Sequence, residues 1–179
     1  MTTLSTLYGL LALASMAAVV FMLLARLAAV TGPAGGGLWR SFRDTLAPLA
    51  PGLALLVATV ATLGSLTYSE IAGFGPCELC WYQRIAMYPL VVVLGVAAWR
   101  RDGQVWRTAV PISVIGAAVS VWHLVIERNP GLAGPCDPAA PCAVRWVEEL
   151  GVFTLPAMAL VGFSAVIVLT LAARPRADA

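Results

Sequence analysis

The sequence "PCELCWYQRIAMYP", residues 76–89, joins a C-x-x-C pair to two aromatic residues and an arginine, and then leads into apolar sequence. Tryptophan and tyrosine are enriched where helices meet a membrane–water interface. Pro76 is typical of a chain about to begin a helix, and a cysteine at a helix start is favoured as thiolate. The segment has three interpretations: a zinc clip, a soluble redox motif, or a redox site at a membrane surface.

The composition is that of a membrane protein. Of 179 residues, 60% are hydrophobic and only 11% are charged, and the mean hydropathy is +0.88. Soluble globular domains carry about 25% charged residues. The composition therefore excludes a soluble redox domain and places the C-x-x-C pair in a membrane context.

Five apolar runs approach the length of about 20 residues that a spanning helix needs. They cover residues 1–25, 45–69, 81–99, 108–126 and 150–173. In the third run, residues 81–84 form an interfacial first turn from which Arg84 reaches toward lipid headgroups. No basic residue precedes the first run, which favours a retained helix over a signal peptide.

These runs predict an all-α polytopic membrane protein, an antiparallel four-helix transmembrane bundle plus one additional N-terminal transmembrane helix. The predicted units are an accessory helix at 1–30, a cytoplasmic connector at 31–45, the four-helix membrane domain at 46–173 and a cytoplasmic tail at 174–179. The connector starts with "TGPAGGG", residues 31–37, which favours a flexible segment. Gly95 and Gly116 suit close approach of helices in lipid.

The distribution of arginine predicts the orientation, because cytoplasmic loops carry an excess of basic residues. With five spans, one face collects eight of the eleven basic residues: Arg26, Arg40, Arg43, Arg100, Arg101, Arg107, Arg174 and Arg176. The N-terminus is therefore predicted outside and the C-terminus inside. The opposite face holds all four cysteines, Cys77, Cys80, Cys136 and Cys142, on the side where paired cysteines normally form disulfides.

The loop before the last span is rich in proline and glycine, which predicts irregular structure. Its end, residues 143–150, is predicted as a short surface helix with Val144, Val147 and Leu150 on one face. Phe153 and Pro156 then open the last span, since proline is tolerated in a first helical turn.

The cysteines and Arg84 carry the candidate chemistry. If a helix includes Cys80, Arg84 lies one turn later on the same face, where a guanidinium stabilises a nearby thiolate. A four-cysteine zinc site and two static disulfides are alternatives. The second pair, C-x5-C with two intervening prolines, departs from the usual zinc-ligand spacing, so redox exchange is favoured.

Four segments resemble the DsbB/BdbC family of membrane disulfide bond formation proteins, in particular its BdbC-like branch with a short second loop. They are "CELCWYQRIAMYP", "HLVIE", the loop cysteine pair and "RWVEELGVFTLPAMAL". The resemblance covers about residues 46–173, so the helix at 4–30 lies outside the family pattern. The vitamin K epoxide reductase family does related chemistry, but its C-x-x-C usually follows the loop pair, and the order here opposes it.

The resemblance implies a thiol oxidase of the bacterial cytoplasmic membrane, coupled to menaquinone or ubiquinone, that reoxidises a soluble thioredoxin-fold partner of the DsbA or BdbD type. Carried over by position, Cys136 takes the mixed disulfide with the partner and Cys142 exchanges with Cys77. Cys80 faces the quinone and Arg84 supports it.

The same resemblance gives two weaker candidates for quinone contact. His123 matches a histidine near the family's quinone site, although an interfacial histidine bonded to a carbonyl is an equal alternative. Glu127 stands where some members carry glutamine, which leaves a polar contact at that position open.

Overall fold

The structure is a computed structural model that describes residues 2–31, 33–133 and 140–175. Its helices are α1 (Thr2–Thr31), α2 (Pro33–Leu46), α3 (Ala50–Leu66), α4 (Glu78–Arg100), α5 (Trp106–Arg128) and α6 (Leu155–Ala172). A π-helical turn, Thr67–Ile71, extends α3, and a 3-10 turn, Pro130–Leu132, follows α5. Two short strands, β1 (Glu148–Glu149) and β2 (Phe153–Thr154), precede α6.

Five of the described helices are long and apolar enough to cross a membrane. They cover Thr3–Val30, Ala50–Ile71, Glu78–Arg100, Trp106–Arg128 and Leu155–Ala172. The predicted fold class is therefore confirmed: the chain is an all-α multi-pass membrane protein. The fifth span begins at Leu155 rather than at the predicted 150, because the strand pair occupies the intervening residues.

Helices α3 to α6 form the bundle, and their shared core is built from small and branched apolar residues. Ala54 and Ala58 of α3 face Leu90 and Leu94 of α4, all with no exposed surface. In the same core, the Phe163 ring of α6 packs against Gly116 of α5, where a Cβ would overlap the ring. Small residues here let the backbones approach, which is how helices associate in lipid.

The connections gather at two ends of the bundle. At the arginine end, defined here by Arg43, Arg101 and Arg174, the Arg43 side chain donates to the backbone carbonyls of Ala172 and Arg174. At the cysteine end, defined by Cys77, His123 and Cys142, the His123 ring contacts both cysteines. The α1 helix begins at the cysteine end, where Thr6 donates to the Glu149 carboxylate.

The predicted flexible connector at 31–37 is wrong from Pro33 onward, because α2 begins there. Proline fits the first helical turn, where its missing N–H has no intrahelical acceptor. The Phe42 ring of α2 packs edge-on against Phe21 of α1 at a centroid distance of 5.6 Å. This tertiary contact offsets the low helix propensity of the glycines.

The predicted surface helix at 143–150 is also wrong, because these residues form turns that lead into a β-hairpin. Glu148 pairs with Thr154 and Glu149 with Phe153. Leu150 and Gly151 at the hairpin loop both have left-handed backbone, with φ of 54° and 69°. These two residues form the turn that reverses the chain, and the extended backbone of Glu148 and Glu149 replaces the last turn of the predicted helix. Val144 and Leu150 are exposed while Val147 is buried, so the three do not share a face.

Candidate functional site

The C-x-x-C pair lies at the start of α4, as predicted. Cys77 is the N-cap residue with extended backbone, and its sulfur accepts a hydrogen bond from the Cys80 backbone N–H at 3.3 Å. The two sulfurs are 2.9 Å apart. A hydrogen bond from Cys77 to Cys80 and the burial of Cys77 raise the pKa of the Cys77 thiol to about 12. The reduced pair therefore keeps a proton on Cys77.

The second cysteine loop comes to the same place. Cys142 is 1% exposed and belongs to a buried cluster with Cys77 and Ile126. The His123 Nε2 atom lies 3.0 Å from the Cys142 carbonyl oxygen and 3.8 Å from the Cys77 sulfur. The structure therefore brings Cys77 and Cys142 into one buried cluster, and the exchange between them stays a prediction. Cys136 lies outside the described residues.

The hydrogen bonds of His123 assign its tautomer. A carbonyl oxygen only accepts, so Nε2 carries the proton that is donated to Cys142. On the opposite side of the ring, the Gln83 amide nitrogen lies 3.3 Å from Nδ1 and donates to it. His123 is 3% exposed and Gln83 8% exposed. The pair therefore forms a buried bridge from α4 through α5 to the cysteine loop.

Glu127 lies one turn beyond His123 and is held by the hairpin. Its carboxylate accepts a hydrogen bond of 2.8 Å from the Thr154 hydroxyl, and both residues are buried. Glu127 and His123 line a small pocket together with Cys77 and Cys80. Neither is among the residues that line the larger cavity described next, so their predicted contact with quinone stays a prediction.

A larger cavity of about 380 Å³ opens on the other side of the C-x-x-C pair. Its walls come from α1, α3, α4 and α6, and most of them are apolar. Cys80, Gln83 and Arg84 supply polar groups at the cysteine end. Cys80, Trp146 and Leu155 line both this cavity and the small pocket, so these three side chains lie between the two spaces.

Arg84 lines this cavity with Cys80, as its spacing predicts, but Ser65 of α3 holds its guanidinium. Nε donates to the Ser65 hydroxyl at 3.0 Å and Nη2 donates to the Ser65 carbonyl at 3.2 Å. The guanidinium also lies over the Trp81 ring, 5.3 Å from its centroid. A guanidinium has five N–H donors, so these two bonds leave donors for a ligand in the cavity.

Three residues of the site, Ser65, Gln83 and Thr154, have no role predicted from the sequence. Ser65 accepts hydrogen bonds from both Arg84 and Tyr88. Each of these contacts joins residues that are distant along the chain, so no local motif marks them. A polar residue in an apolar span is the one available signal, and it applies to Ser65.

The same cysteine end offers ligands for a metal ion. The ligand atoms of Cys77, Cys80 and His123 all lie within 4.8 Å of one another. Zinc in structural sites takes four ligands, and the described part of the chain groups three here. The grouping keeps metal binding open as an alternative to redox exchange.

Comparison with known proteins identifies the family. The family model described as "Disulfide bond formation protein DsbB" matches residues 48–173. "Disulfide bond formation protein C" of Bacillus subtilis (strain 168) is 44% identical over 115 residues, 63% of this chain and 83% of the relative. The "Probable disulfide formation protein" of Metapseudomonas resinovorans is 40% identical over 127 residues, 69% and 88% of the two chains.

No solved structure matches the chain significantly. The matched region 48–173 includes α3 to α6 together with Cys77, Cys80 and Cys142. It excludes both α1 and α2. With this match over most of its length, the chain belongs to the DsbB family of disulfide bond formation proteins.

Proposed function

We propose that the protein is a thiol:quinone oxidoreductase that reoxidises a thioredoxin-fold partner of the DsbA or BdbD type outside the cytoplasm. The single observation that carries this proposal is the position of the C-x-x-C pair. Cys77 belongs to the buried cluster that contains Cys142, and Cys80, which packs against the same cluster, also lines an apolar cavity with Arg84. The Cys77–Cys80 pair thus lies between the second cysteine loop and an apolar cavity. Family membership supports a role in disulfide formation.

The residues of the cavity fit a quinone. A volume of about 380 Å³ lies in the range of small-molecule sites, roughly 300 to 1,000 Å³. Its apolar walls suit a ring with an isoprenoid tail, and Arg84 has spare donors for a carbonyl oxygen. A bound quinone supplies an acceptor for two electrons and two protons. Menaquinone and ubiquinone both meet this description.

Successive thiol–disulfide exchanges carry two electrons from the partner to the Cys77–Cys80 pair. A partner thiolate attacks Cys136 of the Cys136–Cys142 disulfide, which forms a mixed disulfide and releases the Cys142 thiolate. Cys142 attacks Cys77 of the Cys77–Cys80 disulfide and releases Cys80 as thiolate. The second partner thiol displaces Cys136, which then attacks Cys142 and releases Cys77 with a proton. The partner leaves oxidised, and two electrons stay on Cys77 and Cys80.

His123 supports the exchange as a positioning residue. Its Nε2–H donates to the Cys142 carbonyl and lies beside the Cys77 sulfur, and Gln83 keeps Nδ1 unprotonated. This bridge holds the Cys142 backbone next to the sulfur that it must attack. Orientation of reacting groups in this way contributes to rate without direct contact with a quinone.

The test uses purified protein in quinone-free nanodiscs with menadione added. Loss of quinone absorbance is followed as a reduced DsbA-type protein is oxidised. The wild-type protein is expected to consume one quinone per disulfide formed, and Cys80→Ala is expected to abolish turnover. Turnover that persists in Cys80→Ala overturns the proposal.

A second arm of this test concerns Arg84. Arg84→Met removes the donors at the cavity and is expected to raise the KM for menadione about tenfold, the effect of losing a charged hydrogen bond. The matched control is Arg107→Met at the arginine end, where the side chain is exposed. Equal KM values in the two variants remove the role assigned to Arg84.

A non-catalytic metal-binding module is the second candidate, favoured by the grouping of Cys77, Cys80 and His123. Elemental analysis of the same preparation separates the two functions. Stoichiometric zinc together with absent quinone reduction supports the module. Two unreactive disulfides without metal support a bracing role for the cysteines.

A further inference from the structure

We infer that α1, which lies outside the family's matched region, is a wall of the quinone cavity and raises the affinity for quinone. This inference rests on the proposed function. Four α1 residues at helical spacing line the cavity: Tyr8, Leu11, Ala12 and Ser15. Their positions at i, i+3, i+4 and i+7 form one helix face. The sequence of α1 is apolar all round, so this face is visible only in the structure.

Two glycines fix α1 against the bundle at the height of this cavity. A Cβ on Gly64 of α3 would lie 3.2 Å from Cε1 of the Tyr8 ring. A Cβ on Gly9 would lie 3.0 Å from the Glu149 Cβ in the hairpin. Both distances are tighter than ordinary carbon contacts, so the close docking depends on glycine at these positions. The contact is therefore specific rather than a loose apposition in lipid.

Polar contacts fix the same end of α1. The Tyr8 and Thr67 hydroxyl oxygens are 3.4 Å apart, and Thr6 donates to the Glu149 carboxylate at 3.5 Å. The hairpin that carries Glu149 is itself bonded to Glu127 of α5 through Thr154. The α1 helix is thus linked to the part of the molecule that surrounds the cysteines.

Tyr8 begins a row of aromatic rings along the cysteine end of the cavity. It packs against Tyr68 at a centroid distance of 5.8 Å, Tyr68 stacks on Phe74 at 6.3 Å, and Phe74 stacks on Trp146 at 5.4 Å. All four rings line the cavity, and Trp146 also lines the small pocket beside Cys77. Aromatic surface of this kind suits the flat conjugated ring of a quinone.

Without α1, the cavity face formed by α3 and α6 would open to lipid. With α1 in place, Leu11, Ala12 and Ser15 cover the ligand on that side. The α1 helix therefore adds buried contact area to the bound quinone and slows its release. Thiol exchange at Cys77 and Cys142 does not depend on this wall.

The test compares two identical substitutions on opposite faces of α1. Ala12→Phe places a ring in the cavity, whereas Ala14→Phe places the same ring on the exposed face. The Kd for decylubiquinone is measured by quenching of tryptophan fluorescence in nanodiscs. Ala12→Phe is expected to raise the Kd for decylubiquinone about tenfold, because the added ring overpacks the site. The Kd of Ala14→Phe is expected to stay within twofold of the wild-type value. Reduction of the disulfides by dithiothreitol is expected to be unchanged.

A second pair keeps the test decisive if Ala12→Phe does not fold: Ser15→Leu in the cavity against Ala17→Leu on the exposed face. Photolabelling with an azidoquinone is expected to modify residues 8–15 of the wild-type protein. Equal Kd values within both pairs, or labelling confined to α3, α4 and α6, overturn the role of α1. A wild-type protein that binds no quinone overturns the proposed function instead.

Discussion

Cys77 combines three properties in one residue: it caps α4, it is 4% exposed, and its thiol has a pKa raised to about 12. The hydrogen bond to Cys80 is the largest cause of the raised pKa, and burial is the next. Thiolate is the reactive form of cysteine. In the reduced pair, Cys77 is therefore the proton-holding and less nucleophilic member at neutral pH.

This property predicts the pH profile of Cys77 alkylation in the reduced protein. Because the pKa lies near 12, the rate with iodoacetamide should rise about tenfold per pH unit up to pH 10 without a plateau. An ordinary thiol levels off near its pKa of about 8.5. Peptide-level mass spectrometry of initial rates measures the Cys77 profile directly.

Cys80→Ala is the control for the cause. It removes the largest contribution to the raised pKa while burial remains, so the Cys77 profile should move to lower pH. If the alkylation rate of Cys77 in the reduced wild-type protein levels off near pH 9, the assignment of the proton to Cys77 is contradicted. An unchanged profile in Cys80→Ala shows that burial alone raises the pKa.

At the scale of elements, hydropathy was enough to predict the five spans, and the C-x-x-C pattern was enough to predict the start of α4. The hairpin was not predictable from local pattern. Val144, Val147 and Leu150 have helical spacing, but left-handed backbone at Leu150 and the bond from Thr154 to Glu127 decide the structure. Both depend on tertiary contacts that no sequence window contains.

The site shows the same division. The spacing of Cys80 and Arg84 predicted that they share a face, and they line one cavity. The direction of the guanidinium toward Ser65 depends on where α3 packs beside α4. His123 likewise lies at the predicted end of α5, but its contacts with Cys142 and Gln83 follow from how three segments converge.

The packing of α5 on α6 predicts the outcome of Gly116→Ala. A Cβ at Gly116 overlaps the fully buried Phe163 ring, so one helix must shift or the ring must leave its position. Overpacking of this kind costs about 1–3 kcal/mol. A lower midpoint of thermal unfolding in detergent, measured by intrinsic fluorescence, is the expected result.

Gly52→Ala is the matched control on α3. A Cβ there meets no heavy atom within 4 Å in the described part of the chain, and the residue is exposed. Alanine in a helix is favoured over glycine by roughly 0.5–1 kcal/mol, so this variant should match or exceed the wild-type midpoint. Equal destabilisation by the two substitutions would show that loss of glycine, rather than contact with Phe163, is responsible.

At the scale of the whole molecule, charge and chemistry separate toward opposite ends. At the arginine end, Arg43 bonds the end of α6 and Arg174 lies over the Trp106 ring at 4.6 Å. The cysteine end carries Glu70, Glu78, Glu148 and Glu149 with fewer exposed arginines, Arg128 and Arg145. Since basic loops stay in the cytoplasm, this separation supports an orientation with the cysteines outside. Disulfide formation requires that side, because cytoplasmic thiols are kept reduced.

The orientation predicts which end of the bundle a membrane-impermeant maleimide reaches in intact protoplasts. In a chain whose four cysteines are replaced by serine, Gly131→Cys at the cysteine end should be labelled without permeabilisation. Gln104→Cys, in the exposed loop between α4 and α5 at the arginine end, should be labelled only after the membrane is opened. The contrast is expected because eight of the eleven basic residues lie on the side that is predicted to be cytoplasmic. If Gln104→Cys is labelled in intact protoplasts and Gly131→Cys is not, the orientation is the reverse of the predicted one. The proposed outer partner would then have no access to Cys142.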